Sequence, residues 1–147
     1  MKHLLSIKEL SQTQLLDILA LAKKIKANPA EYRRALDGKS VVMLFEKPSL
    51  RTRVSFDIGI NKLGGHCLYL DQQNGALGKR ESVEDFATNI SCWADAIVAR
   101  TYSHTTIEKL AKHGSVPVIN ALSDLYHPCQ ALADFLSSSM RAIISGW

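Results

Sequence analysis

Four short runs rich in valine, isoleucine and leucine place the strongest constraint on the fold of this 147-residue chain. Longer stretches with helical periodicity separate them, so strands and helices alternate along the sequence. Strands that are apolar on both faces belong in a parallel sheet covered by helices on both sides. We therefore predict an α/β fold, a three-layer α/β/α sandwich around a central parallel sheet of about four strands. The predicted strands are Ser40 to Phe45, His66 to Leu70, Asp95 to Ala99 and Val116 to Asn120.

Three further signals place the helices and one loop. Apolar residues at helical spacing predict an amphipathic first helix over residues 8–26. A second helix is expected to begin near Leu50 and to end at Gly64-Gly65, because glycine commonly terminates helices. The polar stretch Asp71 to Arg80 is predicted to be a long irregular loop.

Composition and charge exclude several classes of protein. Eighteen Lys and Arg against 14 Asp and Glu give a net charge of +4, which suits a small anionic ligand but is too small to indicate nucleic acid. No apolar run approaches the roughly 20 residues that span a membrane, and the N-terminus does not resemble a secretory signal, so we predict a cytoplasmic protein. The odd number and wide spacing of the cysteines indicate reduced thiols rather than a disulfide framework or a metal site: Cys67, Cys92 and Cys129.

The stretch FEKPSLRTR, which follows the first predicted strand, has the composition of an anion site. If the next helix begins near Leu50, the N–H groups of Arg51, Thr52 and Arg53 lack partners within the helix and are free to bind phosphate. The hydroxyls of Ser49 and Thr52 add donors, and an arginine guanidinium grips two phosphate oxygens at once. The alternative, from this stretch alone, is a serine-capped helix with solvated arginines.

Donors that follow the later strands favour the functional interpretation. Arg100 stands directly after the third predicted strand, and His127 and Gln130 follow the fourth. With Pro128 as the first helical residue, the three-residue spacing places His127 and Gln130 on one face of a helix. Ligand sites of open α/β sheets gather at the carboxyl ends of the strands. We therefore predict that these donors converge at one edge of the sheet.

The motifs KPSLRTR and HPCQALAD, which contain these donors, resemble the two carbamoyl-phosphate motifs of the aspartate and ornithine carbamoyltransferase family. The segments LGGH, LGKRES, DAIVART and VPVINALSDLYHPCQ extend the resemblance to about Leu136. Within the family, HPCQ and INALSD are more similar to ornithine than to aspartate carbamoyltransferases. The implied reaction transfers the carbamoyl group of carbamoyl phosphate to ornithine in arginine biosynthesis, giving citrulline and phosphate, with no cofactor and no metal.

The resemblance also implies a role for each matching position. The phosphate would be bound by Ser49, Arg51, Thr52 and the backbone amide of Leu50, whereas Arg53 would be structural. Donors to the carbamoyl oxygen would be Arg100, His127 and Thr52, and Gln130 would hold the carbamoyl amino group. Catalysis would thus rest on Arg51, Thr52, Arg100 and His127.

Domain organisation and assembly follow from the same resemblance. Residues 1–136 would form the carbamoyl-phosphate-binding domain, residues 137–147 look like an atypical, truncated tail, and the second, ornithine-binding domain of the family is absent, so we expect the 147-residue chain to be inactive alone. The resemblance also implies a homotrimer, because family members share sites between subunits. Several relatives have a polar residue in place of Ala76, and Lys79 or Arg80 would instead reach the neighbouring site.

Two alternatives stay open. The first is another carbamoyltransferase whose acceptor is aspartate, putrescine or an acylated ornithine, because the domain that selects the acceptor is absent. The second is a non-catalytic binding or oligomerisation module in which the sheet and the contacts between subunits persist without turnover. Membranes and nucleic acids are not expected partners in either case.

Overall fold

The chain alternates strands and helices throughout. The computed structural model describes residues 2–71, 77–78 and 81–144, with residues 139–144 described by their backbone alone. The four strands are β1 (Ser40–Phe45), β2 (His66–Leu70), β3 (Ala96–Arg100) and β4 (Val118–Leu122). The helices are α1 (Gln12–Ala27), α2 (Leu50–Lys62), α3 (Val83–Ile90), α4 (His104–His113) and α5 (Pro128–Ile144), and short 3-10 turns lie at Ile7–Glu9 and Pro29–Tyr32.

All four strands are parallel and are ordered β2-β1-β3-β4, which confirms the predicted sheet. Alternate residues of β1 point to opposite faces, so each face has its own apolar core. One face of the sheet packs on α3 and α4 through Leu44, Ile97, Ala87, Ile107 and Leu110. The opposite face carries Val41, Met43, Phe45, Val98, Ala121 and, from α2, Ile60. The molecule is therefore the predicted α/β/α sandwich.

The end of α2 has the geometry that its two glycines predicted. Gly64 has a φ of 89°, a left-handed backbone conformation that residues with a side chain rarely adopt. A Cβ at this position would lie 2.6 Å from the carbonyl oxygen of Arg33. The N–H of Gly65 donates to the carbonyl oxygen of Ile60 at 3.0 Å. These contacts terminate the helix and turn the chain directly into β2.

The predicted boundaries of the last two strands were wrong by one or two residues. β3 ends at Arg100 and not at Ala99, and β4 runs from Val118 to Leu122. Pro117 lacks an N–H, so regular pairing of this strand begins after it. Asn120 is polar and looked like a strand end, but it lies within β4 because its carboxamide finds hydrogen-bond acceptors there, at the carbonyls of Leu5 and Tyr126.

The first helix begins later than its apolar spacing indicated. Ser11 caps α1, since its hydroxyl accepts the N–H of Gln14 at 3.2 Å while the Gln14 side chain accepts the N–H of Ser11 at 2.9 Å. This reciprocal capping box excludes the preceding residues from the helix. Among the helices that the structure describes, none is both long and apolar enough to cross a membrane.

Candidate functional site

The carboxyl ends of three strands lie side by side at one edge of the sheet. Phe45 of β1 is in register with Arg100 of β3, which in turn is in register with Leu122 of β4. In the sheet, β2 lies next to β1 on one edge, and the following strand, β3, lies next to β1 on the opposite edge. The direction in which strands are added therefore reverses between β1 and β3. In open α/β sheets, ligands bind in the crevice outside such a switch point.

The segment between β1 and α2 carries hydrogen-bond donors that have no acceptor among the described residues. Ser49 occupies the N-cap position of α2 in an extended conformation, yet its hydroxyl makes no capping bond. Within the described ranges, the side chains of Ser49, Arg51 and Thr52 form no hydrogen bond or ion pair. Arg51 is exposed, whereas the other two are half-buried. This is the donor set predicted for phosphate.

The backbone at the start of α2 differs from the prediction at one residue. The N–H of Arg53 is paired with the carbonyl oxygen of Ser49 at 3.3 Å, so its predicted availability was wrong. This pairing is the first i to i−4 bond of the helix, and only the N–H groups before it lack such an acceptor. The guanidinium of Arg53 lies 3.8 Å from the centre of the Tyr69 ring, so this side chain packs on β2.

Arg100 has a buried donor without an acceptor. It is the last residue of β3, and its carbonyl oxygen accepts the N–H of Glu46 at 2.8 Å. Its Nε is buried and has no hydrogen-bond partner among the described residues. An unpaired buried donor is rare and costs free energy. Its place at the switch point indicates a ligand that supplies the missing acceptor.

His127 stands directly before α5, whose first residue is Pro128, as predicted. The N–H of Gln130 donates to Nδ1 of His127 at 3.4 Å, so in the neutral ring the proton sits on Nε2. Burial lowers the pKa of His127, and the positive charge of Arg100 lowers it further, against a weaker opposite effect of Asp134.

The side chain of Gln130 is oriented by its own helix. Its Nε2 donates to a carboxylate oxygen of Asp134 at 3.0 Å, one turn along α5. Since the amide nitrogen is engaged in this way, the amide oxygen is left to accept a hydrogen bond from a ligand. Asp134 was not identified from the sequence, although the four-residue spacing from Gln130 predicts such a contact.

Cys129 lies between His127 and Gln130 in the sequence, but its thiol is bonded within the protein. Its Sγ donates to the carbonyl oxygen of Asn120 at 3.5 Å, and burial raises the pKa of the thiol to about 11. The thiolate that a nucleophile requires is therefore scarce at neutral pH. The three cysteines are unpaired, in agreement with the predicted reduced thiols.

Glu46 is a site residue that the sequence analysis missed. Its side chain is only 9% exposed, and a carboxylate oxygen accepts the N–H of Tyr102 at 2.8 Å. Together with the bond from its own N–H to Arg100, this contact ties the ends of β1 and β3 together. An acidic residue directly after an apolar strand was the available signal, because such a buried charge needs a partner. Lys79 and Arg80, assigned above to the neighbouring subunit's site, lie outside the described residues, and so does Ala76.

The fold and the candidate site together define a doubly wound α/β domain with unpaired donors at the carboxyl edge of its sheet. Residues 2–139 match the family model described as "Aspartate/ornithine carbamoyltransferase, carbamoyl-P binding domain". The chain therefore belongs to the aspartate/ornithine carbamoyltransferase family, and it corresponds to the carbamoyl-phosphate-binding domain of that family.

Relatives with known names agree with this assignment. The chain is 88% identical over 137 residues to an ornithine carbamoyltransferase of Shewanella oneidensis, a match that covers 93% of this chain and 46% of that protein. An ornithine carbamoyltransferase structure from Pyrococcus furiosus superimposes with a TM-score of 0.93 at 43% identity, covering 96% of this chain and 46% of that one. The chain thus spans about half the length of the relatives that it matches.

A third relative is named for a different acceptor. It is a mutant N-acetyl-L-ornithine transcarbamylase complexed with carbamyl phosphate and N-succinyl-L-norvaline, which is similar to this chain with a TM-score of 0.87. The identity is 29%, and the match covers 96% of this chain and 48% of that one. The carbamoyl-phosphate domain is thus similar in relatives named for different acceptors.

Proposed function

We propose that this chain binds carbamoyl phosphate at the carboxyl ends of β1, β3 and β4, as one half of an ornithine carbamoyltransferase of arginine biosynthesis. The phosphate binds the hydroxyls of Ser49 and Thr52, the guanidinium of Arg51 and the backbone N–H of Leu50. These groups lie at the start of α2, where the helix dipole also favours negative charge. Their side chains make no polar contact within the described protein, which supports this assignment.

The carbamoyl group lies towards β3 and β4 in this proposal. Arg100, Nε2–H of His127 and the hydroxyl of Thr52 donate to the carbamoyl oxygen, and the amide oxygen of Gln130 accepts from the carbamoyl amino group. The contact between Gln130 and Asp134 supports this orientation of the amide. The lowered pKa of His127 keeps the imidazole neutral at physiological pH, with its proton on the nitrogen that faces away from Gln130 N–H.

The reaction follows from these contacts without a covalent intermediate. The neutral δ-amine of ornithine attacks the carbamoyl carbon, a C–N bond forms, and the C–O bond to phosphate breaks as the amine loses a proton, which the departing phosphate takes up. Negative charge grows on the carbamoyl oxygen, where preorganised donors stabilise it. Phosphate then leaves with its charge already balanced by Arg51 and the start of α2. Binding both substrates in one site supplies much of the rate.

The observation that carries this proposal is the buried Nε of Arg100, which lacks an acceptor among the described residues. A structural arginine at this place would have an acceptor within the protein. The carbamoyl oxygen supplies one at the switch point of the sheet, between the phosphate donors of α2 and His127.

Ornithine is proposed as the acceptor because of the named relatives. The proteins at 88% and 71% identity carry the name ornithine carbamoyltransferase, whereas the relative named for N-acetyl-L-ornithine is at 29%. The test compares ornithine, acetylornithine, aspartate and putrescine as acceptors when this domain is joined to its natural C-terminal partner domain. Citrulline as the main product is expected, and preference for another acceptor would refute the assignment.

Binding is tested on the chain itself by recording NMR spectra during titration with carbamoyl phosphate and with inorganic phosphate. Both ligands should shift the amide signals of residues 49–53, and carbamoyl phosphate should also shift those of Arg100 and His127. Shifts confined to other regions would refute the site. The complete absence of binding would instead favour a non-catalytic module.

We further propose that the chain assembles as a homotrimer in the cytoplasm. Three apolar side chains form a stripe along α2 at four-residue spacing, and they are exposed by 79%, 43% and 50%, respectively: Leu50, Val54 and Ile58. A second copy is the expected occupant, since an apolar stripe of this kind favours association. Sedimentation should give a trimer for the wild type and a monomer for Val54→Asp. Leu16→Asp, at an exposed position of α1, is the control and should remain trimeric.

Lys79 and Arg80 are proposed to reach the phosphate of a neighbouring subunit. The test mixes Arg51→Ala chains with chains that carry both Lys79→Ala and Arg80→Ala. If sites are shared, mixed trimers contain some sites with every donor, and tight binding of carbamoyl phosphate returns. Subunit exchange without any return of binding would show that each site belongs to one chain.

A further inference from the structure

The turn between β4 and α5, residues 123–126, sets the position of His127, the next residue. The turn closes on itself through Ser123. The N–H of Ser123 donates to the carbonyl oxygen of Tyr126 at 3.0 Å, and the N–H of Tyr126 donates to the Ser123 hydroxyl at 3.1 Å. Ser123 is 5% exposed, so this hydroxyl is a buried hub and not a solvated loop side chain.

A buried histidine from another element contacts this hub. His104 is the first residue of α4 and is 5% exposed. Its Nδ1 lies 3.0 Å from the hydroxyl oxygen of Ser123, and its ring centre lies 4.9 Å from that of Tyr126 in an edge-to-face arrangement. Its backbone N–H donates to a carboxylate oxygen of Asp124 at 2.6 Å. One residue of α4 therefore contacts three residues of the turn.

Asn120 holds the same turn from within the sheet. Its Nδ2 donates to the carbonyl oxygens of Leu5 at 2.9 Å and Tyr126 at 3.3 Å. Its Oδ1 is buried and has no partner among the described residues, so the contacts of this side chain with the protein are made by its amide nitrogen. A turn that only connected two elements would not need contacts from both α4 and β4.

We infer that His104 is a positioning residue for carbamoyl-phosphate recognition, which acts by fixing the 123–126 turn so that His127 faces Arg100. The inference rests on the proposed function for the identity of the ligand. In this proposal His104 does not touch the ligand. It acts on His127 indirectly, through its contacts with Ser123 and Tyr126. Loss of this support should affect the carbamoyl half of the site and leave the phosphate donors of α2 unchanged.

The test compares two ligands on three variants of the chain. His104→Ala should weaken carbamoyl phosphate binding about tenfold, the equivalent of roughly one hydrogen bond, with less than about a twofold change for inorganic phosphate. His104→Asn places a polar atom near the position of Nδ1 and should restore most of the affinity. His113→Ala, an exposed histidine at the other end of α4, is the matched control and should bind like the wild type.

A second readout does not depend on any ligand. Hydrogen exchange of the Tyr126 amide, compared with amides of β1, should be about tenfold faster in His104→Ala and close to wild type in His104→Asn. If His104→Ala does not fold, Ser123→Ala removes only the hydroxyl and gives the same comparison. Equal losses for both ligands, or unchanged selectivity with unchanged exchange, would overturn the inference. A wild-type chain that binds neither ligand would refute the proposed function, and the exchange measurement alone would then decide whether His104 fixes the turn.

Discussion

Two segments at the same edge of the sheet are built in opposite ways. The phosphate segment, residues 46–53, leaves the side chains of Ser49, Arg51 and Thr52 without polar contacts inside the described protein. The carbamoyl segment, residues 123–130, has nearly every polar group engaged, from the Ser123 hub to the pair of Gln130 and Asp134. Under the proposed function, this difference means that the two halves of carbamoyl phosphate are recognised by different physical means.

The charge of each half of the ligand explains this difference. Charge-assisted hydrogen bonds to a phosphate are strong, and an arginine that is solvated before binding can close on it with useful energy. A neutral carbamoyl group offers weaker hydrogen bonds, so recognition depends on donors and acceptors that are already oriented. The first segment can therefore remain open, whereas the second must be held in place before the ligand arrives.

The largest expected effect on ligand binding comes from substitution of Arg51, which tests the comparison of the two segments most directly. Arg51→Ala removes a bidentate charged contact and should weaken binding of both phosphate and carbamoyl phosphate by about 2 to 5 kcal/mol. Arg51→Lys should restore only part of this loss, because an ammonium lacks the planar pair of donors. Calorimetry of the two ligands measures both effects.

Arg53→Ala is the matched control for this prediction. It removes the same charge from the same helix, but its guanidinium packs on Tyr69 and is not available to the ligand. Binding should change little. Equal losses for the two variants would mean that net charge, and not a specific grip by Arg51, attracts the phosphate.

Smaller effects are expected for substitutions of Asn120 and Ser49. The first should change the stability of the protein, and the second should change phosphate binding. Asn120→Ala should lower the free energy of unfolding by about 1 to 3 kcal/mol, since the carbonyl oxygen of Leu5 loses its side-chain donor and that of Tyr126 keeps only its contacts with Ser123. Ser49→Ala should leave stability unchanged, because the hydroxyl does not cap α2, yet it should weaken phosphate binding by about 2 kcal/mol. Denaturant unfolding measures the free energy of unfolding of both variants, and calorimetry measures their binding of phosphate. A loss of stability in Ser49→Ala would contradict the contrast between the segments.

Local patterns predicted the elements whose causes are local. The bounds of β1 and β2 were predicted correctly, since apolar runs between polar residues define them, and so was Pro128 as the start of α5. The last two strands were misplaced because their ends depend on partners far along the chain. Asn120 lies in a strand because the carbonyl of Leu5, 115 residues away in sequence, accepts its amide proton.

The same distinction holds for the site. Arg51, Arg100 and His127 were predicted as site residues because each follows a predicted strand end, a position that is readable from the sequence, and their roles stay predictions. Glu46 and His104 were missed because their partners, Tyr102 and Ser123, are 56 and 19 residues away, respectively. Only the fold brings these residues together, and no spacing rule links them in the sequence.

The smallest expected effect concerns the protonation of His127, which tests whether the carbamoyl segment is oriented before the ligand binds. Its pKa in the folded chain lies below the ordinary value of 6.5, chiefly through burial and also through the charge of Arg100. Between the folded pKa and 6.5, the unfolded chain binds more protons than the folded one, so stability rises with pH in this window. The contribution of His127 is therefore fully present above about pH 6.5 and is lost as the pH falls through the folded pKa.

NMR titration of the His127 ring and denaturant unfolding across this pH range test the prediction. Arg100→Gln should raise the pKa of His127 towards 6.5 without reaching it, because burial remains, whereas Asp134→Asn should lower it further. His3 also has a pKa lowered by burial, so the stability test uses the difference between wild type and His127→Gln, from which His3 cancels. A pKa of His127 that does not respond to Arg100→Gln would show that Arg100 does not face the imidazole. The carbamoyl oxygen would then lose one of its three proposed donors, which are Arg100, His127 and Thr52. The proposed division of the site between two segments would fail at this point.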